Sequence, residues 1–369
     1  DAALVRSDLD AGSRAMRDPY LSFVLASRND DHAGGMLPRL QVCVDNLREQ
    51  AERHELASEV VLVDWNPPID RPTLRDALSW PDRQGICELR MIEVSPSVHG
   101  SLSFSDSLPF LAHTAWNTGI RRARGKFVLC VTNDVLLSDA LFRFLADGRL
   151  DDRTLYRVDR YDVPEEVLTL GSLDDRLDFS RENVRHVNGH DGAMAIPGHD
   201  VRLHTNAAGD FLLLSRDFWH KLRGLPQEHE FHSNKLDALL CYMAYAGGAR
   251  QEVLEAPMRV YHVSHELSDW KTADRWPVRF GRRLRFLPAL APGLGQLVRR
   301  VVRPTSRVGA LGVPLLGKAE YQRMVSDILE GKRSYVYNDE NWGLGDRELP
   351  EAKPSAAGGR SSITDREGA

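Results

Sequence analysis

The stretch Asn117-Thr-Gly-Ile-Arg-Arg-Ala-Arg-Gly-Lys-Phe-Val-Leu-Cys-Val-Thr-Asn-Asp134 decides the fold of this chain. Its first residues belong to a helix predicted over 110–123, which Gly125 ends. Residues 126–131 then form a short run of β-forming apolar residues that stops at polar ones, which is typical of a buried strand. A helix followed at once by a buried strand predicts a sheet with helices packed on its faces.

Further apolar runs on both sides of this stretch predict strands of the same kind. In the first half they lie at 20–26, 59–63 and 90–94, and residues 36–57 have helical spacing. Strands and helices that alternate at this pace predict an α/β fold with a mostly parallel, doubly wound sheet. Residues 151–205 are expected to be rich in loops. After them we expect strands at 207–216 and 257–262 and helices at 217–222 and 235–246.

Size and composition exclude several classes of protein. The 369 residues are 42% hydrophobic and 27% charged, which is typical of an ordinary globular protein with a large core. The four cysteines are scattered without a Cys-x-x-Cys pair, so a disulfide scaffold and a zinc finger are excluded and a reducing compartment is favoured. A net charge of −5 argues against a nucleic-acid partner. No transmembrane helix is predicted.

Polar residues follow three of the predicted strands. Ser27, Asn29 and Asp30 follow the first, Asp64 ends the second, and Thr132-Asn133-Asp134 follow the fourth. The carboxyl ends of parallel strands meet at one edge of a sheet, where ligands bind. A strand must also end in something polar, so a turn explains any one of these positions equally well. Taken together, the three strand ends predict a ligand site.

The order of segments from Tyr20 to His265 resembles the GT-A fold glycosyltransferases, in particular the bacterial family-2-like enzymes that use nucleotide sugars. Residues 117–134 resemble that family's passage of N-x-G, A-x-G, hydrophobic strand and D-x-D. Residues 209–226 resemble its acceptor-side strand and helix. The resemblance implies a GT-A (Rossmann-like) fold and the transfer of a sugar from a nucleotide sugar donor, UDP-linked, to a glycan or lipid-linked acceptor in polysaccharide biosynthesis.

The resemblance also implies roles for individual residues. Family members hold Mn²⁺ or Mg²⁺ with the D-x-D acids and often with a histidine after the last core strand, which matches Asp134 with His262 or His265. Thr132 stands in place of the first D-x-D acid, so one carboxylate is missing. A hydrogen-bonded role in the core fits either histidine equally well. The residues that would contact the nucleotide sugar are Ser27, Asn29, Asp30, Asp64, Asn117, Arg121, Thr132 and Asn133.

A catalytic base is expected on the acceptor side. Inverting members of the family deprotonate an acceptor hydroxyl with Asp or Glu, and two residues match this place. Asp237 lies in the first turn of the predicted helix, where it equally suits the helix dipole or a cap. Asp210 lies at the start of the predicted strand and also suits binding of sugar hydroxyls. Inversion and retention both stay open.

The C-terminal part of the chain differs in charge from the rest. Residues 271–318 hold eleven Lys/Arg and one acid, with Trp276, Phe280 and Leu284 among them. A helix of this kind suits an anionic membrane surface, so we expect a cytoplasmic protein that lies peripherally on the inner face of the membrane. A basic face that packs on the catalytic domain is the alternative.

The expected organisation has five parts. They are an N-terminal lead-in (1–18), a nucleotide-sugar-binding half (19–135), an acceptor-binding half (136–270), a basic helical C-terminal extension (271–350) and a disordered tail (351–369).

A second class of function fits the same sequence. The missing first acid of the D-x-D and the lack of an acid pair near residue 235 also suit a non-catalytic module that binds carbohydrate or nucleotide in a polysaccharide assembly system. A nucleotidyltransferase fits less well, because the segment 27–35 after the first strand has no lysine.

Overall fold

The computed structural model describes residues 18–31, 34–192, 194–227, 235–265 and 313–356. Within these ranges the strands are β1 Leu21–Ser27, β2 Ser58–Trp65, β3 Cys87–Val94, β4 Phe127–Cys130, β5 Val135–Leu137, β6 Thr154–Val158, β7 Arg160–Val163, β8 His186–Asn188, β9 Leu212–Ser215, β10 Arg250–Leu254, β11 Val260–Val263 and β12 Glu351–Ala352. The helices of seven residues or more are α1 Met36–Arg53, α2 Ala112–Arg122, α3 Asp139–Ala146, α4 Leu173–Glu182, α5 Arg216–Leu222, α6 Leu236–Ala246 and α7 Lys318–Leu329. Short helical turns occupy Leu74–Ala77, Pro96–Gly100, Glu165–Thr169, His190–Gly192 and Ala208–Asp210.

Eight strands form the central sheet in the order β10-β6-β9-β4-β1-β2-β3-β12. The strands β4, β1, β2 and β3 run parallel to one another, and β10 runs parallel to β6. β9 is antiparallel to both its neighbours, and β12 is antiparallel to β3. The prediction of an α/β fold with a mostly parallel sheet flanked by helices is therefore confirmed.

The central strands are buried on both faces because each face carries its own apolar layer. Phe23 packs with residues of α1 and α3, among them Leu40 and Phe142. Its neighbour Val24 points to the opposite layer, which Trp116 of α2 and residues of α5, α6 and α7 complete. A strand covered on both faces has apolar residues at most successive positions. For this reason β1 and β2 were predictable from the sequence.

The glycine of the N-x-G motif lets α2 approach the sheet closely. A Cβ atom on Gly119 would lie 2.6 Å from Cγ1 of Val24 and 3.2 Å from Cγ2 of Val63. A side chain of any size would therefore push the helix away from β1 and β2.

A second, smaller sheet has the order β5-β11-β7-β8. β11 is antiparallel to β5 and parallel to β7, and β7 is antiparallel to β8. Because β5 follows β4 after residues 131–134, this sheet continues directly from the carboxyl edge of the central one. It brings β11, which is distant in sequence, to the end of β4.

Residues 151–205 contain β6, β7, α4 and β8 between their loops, and the strands among these elements are short and have no continuous apolar run. Two predictions about the second half need correction. The strand predicted at 207–216 is interrupted: Ala207 has a left-handed φ of 48°, Ala208–Asp210 form a helical turn, and β9 starts at Leu212.

The predicted disordered tail does not begin at residue 351. Glu351 and Ala352 pair with β3, where two nitrogens of Arg90 lie 2.6 and 2.8 Å from the carboxylate oxygens of Glu351. This charged hydrogen-bonded pair fixes a two-residue strand that has no hydrophobic pattern.

Most of the predicted basic segment, residues 271–312, lies outside the described residues. The part of the predicted extension that the structure describes begins at residue 313 and contains α7, whose residue Tyr321 is buried in the core. Within the ranges given above, no helix combines the length and the apolar character that crossing a bilayer requires.

Candidate metal centre

The pairing of β5 with β11 brings Asp134 and the predicted histidines together. Asp134 follows β4 and immediately precedes β5, and antiparallel pairing with β5 places His262 of β11 opposite Val135. The backbone N–H of Val263 donates to the carbonyl of Asp134 over 2.9 Å. His265 follows the end of β11 by two residues and turns back to the same carboxylate.

Asp134, His262 and His265 form a compact cluster. Nε2 of His265 lies 3.0 Å from Oδ2 of Asp134, and Nε2 of His262 lies 3.5 Å from the same oxygen. One ligand atom from each residue lies within 4.8 Å of the others. Asp134 is buried, whereas both histidines are partly exposed, so the cluster can be reached from solvent.

The charges in this cluster stabilise one another. Burial alone would raise the pKa of the Asp134 carboxyl, but the charges and hydrogen bonds of His262 and His265 hold it well below its usual range. Burial would likewise lower the pKa of His262, but Asp134 and Asp162 raise it to about 10. At neutral pH the cluster therefore contains an ionised carboxylate beside an imidazolium.

The residues present fit a divalent cation. The second oxygen of Asp134, Oδ1, is buried and has no hydrogen-bond partner among the described residues. A buried carboxylate oxygen without a partner is costly, and a cation would satisfy it. One carboxylate with two imidazoles suits Mn²⁺ better than Mg²⁺, which prefers oxygen ligands throughout. Binding would displace the Nε2 proton of His262.

A polar network extends from this cluster to Asp210, one of the two candidates for the catalytic base. Oγ1 of Thr132 donates to Oδ1 of Asp210 over 2.9 Å, and Nη1 of Arg160 donates to Oδ2 over 3.1 Å. Nε of Arg160 lies 2.9 Å from Oδ1 of Asp162, and that oxygen lies 3.4 Å from Nδ1 of His262. Asp210 is thus joined to the metal cluster through two side chains.

Arg160 and Asp162 were not predicted from the sequence. They alternate on β7, so both point to one side of the small sheet, and Asp162 is the register partner of His262. In the sequence, only the two-residue spacing of these opposite charges could have indicated their proximity. Such spacing is common in polar segments, so it does not identify a site.

The other base candidate, Asp237, has backbone partners on both oxygens. Oδ2 accepts the N–H of Gly209 and Oδ1 accepts the N–H of Ala238, each over 2.8 Å. Burial raises the pKa of the Asp237 carboxyl. Asp237 therefore ties the first turn of α6 to the turn that carries Asp210, but it does not cap the helix, whose N-cap position is Lys235.

The ends of β1 and β2 lie beside the cluster, as predicted. Nδ2 of Asn133 donates to Oγ of Ser27 over 2.8 Å, and Ser27 is the register partner of Asp64. Oδ2 of Asp64 accepts the N–H of Leu74 over 2.8 Å, while its buried Oδ1 has no partner within the described part of the chain. Burial raises the pKa of Asp64 to about 7.

Asn29 and Asp30 follow β1 in the loop at the same edge. Nδ2 of Asn29 donates to the carbonyl of Pro72 over 2.8 Å, and Asp30 forms a 2.8 Å ion pair with Arg28. These contacts hold the loop against the segment that follows β2.

Asn117 and Arg121 are not brought to this edge. The buried Asn117 side chain exchanges hydrogen bonds of 2.7 and 2.8 Å with the backbone of Leu225. Nη1 of Arg121 donates to the carbonyls of Glu340 and Trp342, and its guanidinium lies over the Trp342 ring. The expected nucleotide contact is therefore corrected, because the Asn117 side chain is held by the turn at Leu225 and the Arg121 side chain by the C-terminal segment.

A comparison with protein-family models finds no match to this chain, and neither does a comparison with curated proteins. The geometry of the strand-end cluster therefore carries the functional argument.

Proposed function

We propose that this protein is a GT-A glycosyltransferase that moves a sugar from a UDP-linked donor to a glycan or lipid-linked acceptor with the help of Mn²⁺ or Mg²⁺. The observation that carries the proposal is the Asp134–His262–His265 cluster at the carboxyl edge of a parallel sheet. This edge is where α/β sheets bind nucleotides. The polar ends of β1 and β2 beside it supply the rest of a nucleotide site.

The metal cluster and its neighbours suit the chemistry at the diphosphate. Negative charge develops on the leaving nucleoside diphosphate, and a bound cation would supply positive charge there. Asp134, His262 and His265 would hold that cation. The free Oδ1 of Asp64 would pair with a polar edge of the base, since a carboxyl with a pKa of about 7 both accepts and donates hydrogen bonds.

Asp210 is the stronger candidate for the group that binds or deprotonates the acceptor hydroxyl. It shares a hydrogen-bond network with the metal cluster, and each of its oxygens keeps a second lone pair for a substrate. Asp237 instead contributes by fixing the turn that holds Asp210.

A second function is favoured by a specific observation. Arg160 pairs with Asp210, and both oxygens of Asp237 accept backbone N–H groups, so neither acid stands free as a strong base. This arrangement suits a module that binds a nucleotide sugar without transferring the sugar.

Release of UDP from a panel of UDP-sugars separates the two functions. With Mn²⁺ and an added glycan acceptor we expect the wild-type protein to release UDP, because the sugar passes to an acceptor hydroxyl or, more slowly, to water. We expect Asp134→Asn to be slower by 10² or more, of the order found when a charge-stabilising group is removed. Asp147→Asn, an exposed acid that pairs only with Arg149, is the matched control and should keep full activity.

Each outcome of this experiment has a definite meaning. Tight binding of a UDP-sugar without release of UDP would favour the binding module. Full turnover by Asp134→Asn would contradict the proposed role of the metal cluster.

A further inference from the structure

We propose that Asp162 is a positioning residue for the metal cluster, because its carboxylate fixes the ring of His262 so that Nε2 faces Asp134. This inference rests on the proposed cation-dependent function. It assigns a role to a residue that the sequence did not single out.

The His262 ring lies between two carboxylates, with one nitrogen directed to each. Nδ1 lies 3.4 Å from Oδ1 of Asp162, and Nε2 lies 3.5 Å from Oδ2 of Asp134. The pairing of β7 with β11 makes Asp162 and His262 direct neighbours on the small sheet. These separations are those of ion pairs, and they place Asp162 against the ring on the side opposite to the metal position.

Asp162 is itself held in place from two strands. Within β7, Nε of Arg160 lies 2.9 Å from its Oδ1 and Nη2 donates to Oδ2 over 3.4 Å. From β8, Nδ2 of Asn188 donates to Oδ2 over 3.3 Å. Arg160 also balances the charge of Asp162, so the carboxylate sits close to the cluster without adding an unpaired charge.

A carboxylate in this position has a known physical effect on a metal-binding histidine. When Nδ1–H is donated to an acceptor, the ring keeps its lone pair on Nε2 and cannot rotate freely. Removal of such an outer partner weakens metal affinity by about 10–100-fold. A similar loss is expected here, since His262 supplies one of the three protein ligands that the described residues place in the cluster.

Mn²⁺ titration of the full chain, followed by the electron paramagnetic resonance of free Mn²⁺, tests this role. We expect Asp162→Ala to bind Mn²⁺ about 10–100-fold more weakly than the wild type. Asp162→Asn keeps an acceptor oxygen in place and should recover most of the loss. Asp162→Glu keeps the charge but displaces the oxygen, so it should bind more weakly than Asp162→Asn. Asp178→Ala removes an exposed acid of α4 and should bind as the wild type does.

The comparison of Asn with Glu decides the proposal even if the Ala variant does not fold, which circular dichroism would show. Affinity kept by Glu and lost by Asn would mean that Asp162 acts through charge alone, which overturns a positioning role. Wild-type affinity in every Asp162 variant would overturn the role of Asp162 and leave the proposed metal cluster standing. Absence of Mn²⁺ binding by the wild type would overturn both.

Discussion

Asp64 shows at the residue scale how burial and function compete. Its side chain is almost completely buried at the end of β2, with one oxygen on the N–H of Leu74 and the other without a partner in the described structure. A fold selected only for stability would not leave a carboxyl group in this position. The raised pKa of about 7 is the direct consequence of that burial.

Replacement of Asp64 by Asn should change how stability depends on pH. The ordinary pKa of Asp is about 3.9, so the folded wild type holds an extra proton between about pH 4 and pH 7. The folded state binds this proton more tightly than the unfolded chain does, and this difference stabilises the fold. Because the folded pKa is raised, the stabilisation is complete below about pH 4 and is lost as pH rises to about 7. Asn does not titrate. We therefore expect Asp64→Asn to gain about 2–4 kcal/mol relative to the wild type between pH 4 and pH 8.

Urea unfolding of both proteins at several pH values measures this difference. Parallel pH profiles for the two proteins would show that Asp64 does not titrate abnormally, and its place in the proposed nucleotide site would lose its main physical support.

At the element scale, one buried arginine holds the turn that carries Asp210. Arg157 of β6 is fully buried, and its guanidinium donates to the backbone carbonyls of His204, Asn206, Ala208 and Phe211. Replacing a buried charge by an apolar residue is often neutral when its partners leave with it. The partners of Arg157 are backbone carbonyls, which remain in the protein when the side chain is replaced and then have no donor.

Arg157→Met should therefore destabilise the protein by about 3 kcal/mol or more, since each buried carbonyl left without a donor costs about 1–3 kcal/mol. Arg153→Met is the matched control just before β6, because Arg153 is exposed and should change stability by less than about 0.5 kcal/mol. Denaturant unfolding of both variants gives the comparison. Equal stabilities would mean that the turn folds without Arg157.

The elements also show what could be predicted from the sequence. β1, β2 and β4 were predictable because both of their faces are buried and their apolar runs are continuous. β7 reads Arg-Tyr-Asp-Val and β8 reads His-Val-Asn, so neither has an apolar run to reveal it. The candidate metal ligands Asp134, His262 and His265 were singled out through a family resemblance. Arg160 and Asp162 were not, because their meaning depends on pairing with β11 about a hundred residues further along the chain.

At the scale of the whole molecule, the C-terminal segment completes the apolar core layer that contains α2. Residues 338–347 lie against α2, where Arg122 donates to the carbonyls of Gly343, Leu344 and Arg347. Trp342 is buried in the same core layer as α2, between Arg121 and the ring of His220. Helix α2, which contains the first residues of the stretch 117–134, is thus covered by residues that follow it by more than two hundred positions in the sequence.

Trp342→Ala should lower the free energy of unfolding by about 3–5 kcal/mol, which is typical for removal of a buried aromatic side chain. Asp346→Ala, a change at a half-exposed acid of the same segment whose ion pair is with the adjacent Arg347, should have little effect. Thermal and denaturant unfolding measure both. A small effect of Trp342→Ala would show that this segment is not part of the folded core.

The proposed function requires the strand-end cluster to couple a metal to a nucleotide, and calorimetric titration of UDP with and without Mn²⁺ tests this coupling most directly. In the wild type we expect Mn²⁺ to tighten UDP binding by at least about tenfold, or 1.4 kcal/mol. In Asp134→Asn, which keeps the shape of the side chain but removes its charge, we expect Mn²⁺ to have no effect on UDP affinity. An equal affinity of the wild type for UDP in the presence and absence of Mn²⁺ would contradict the account.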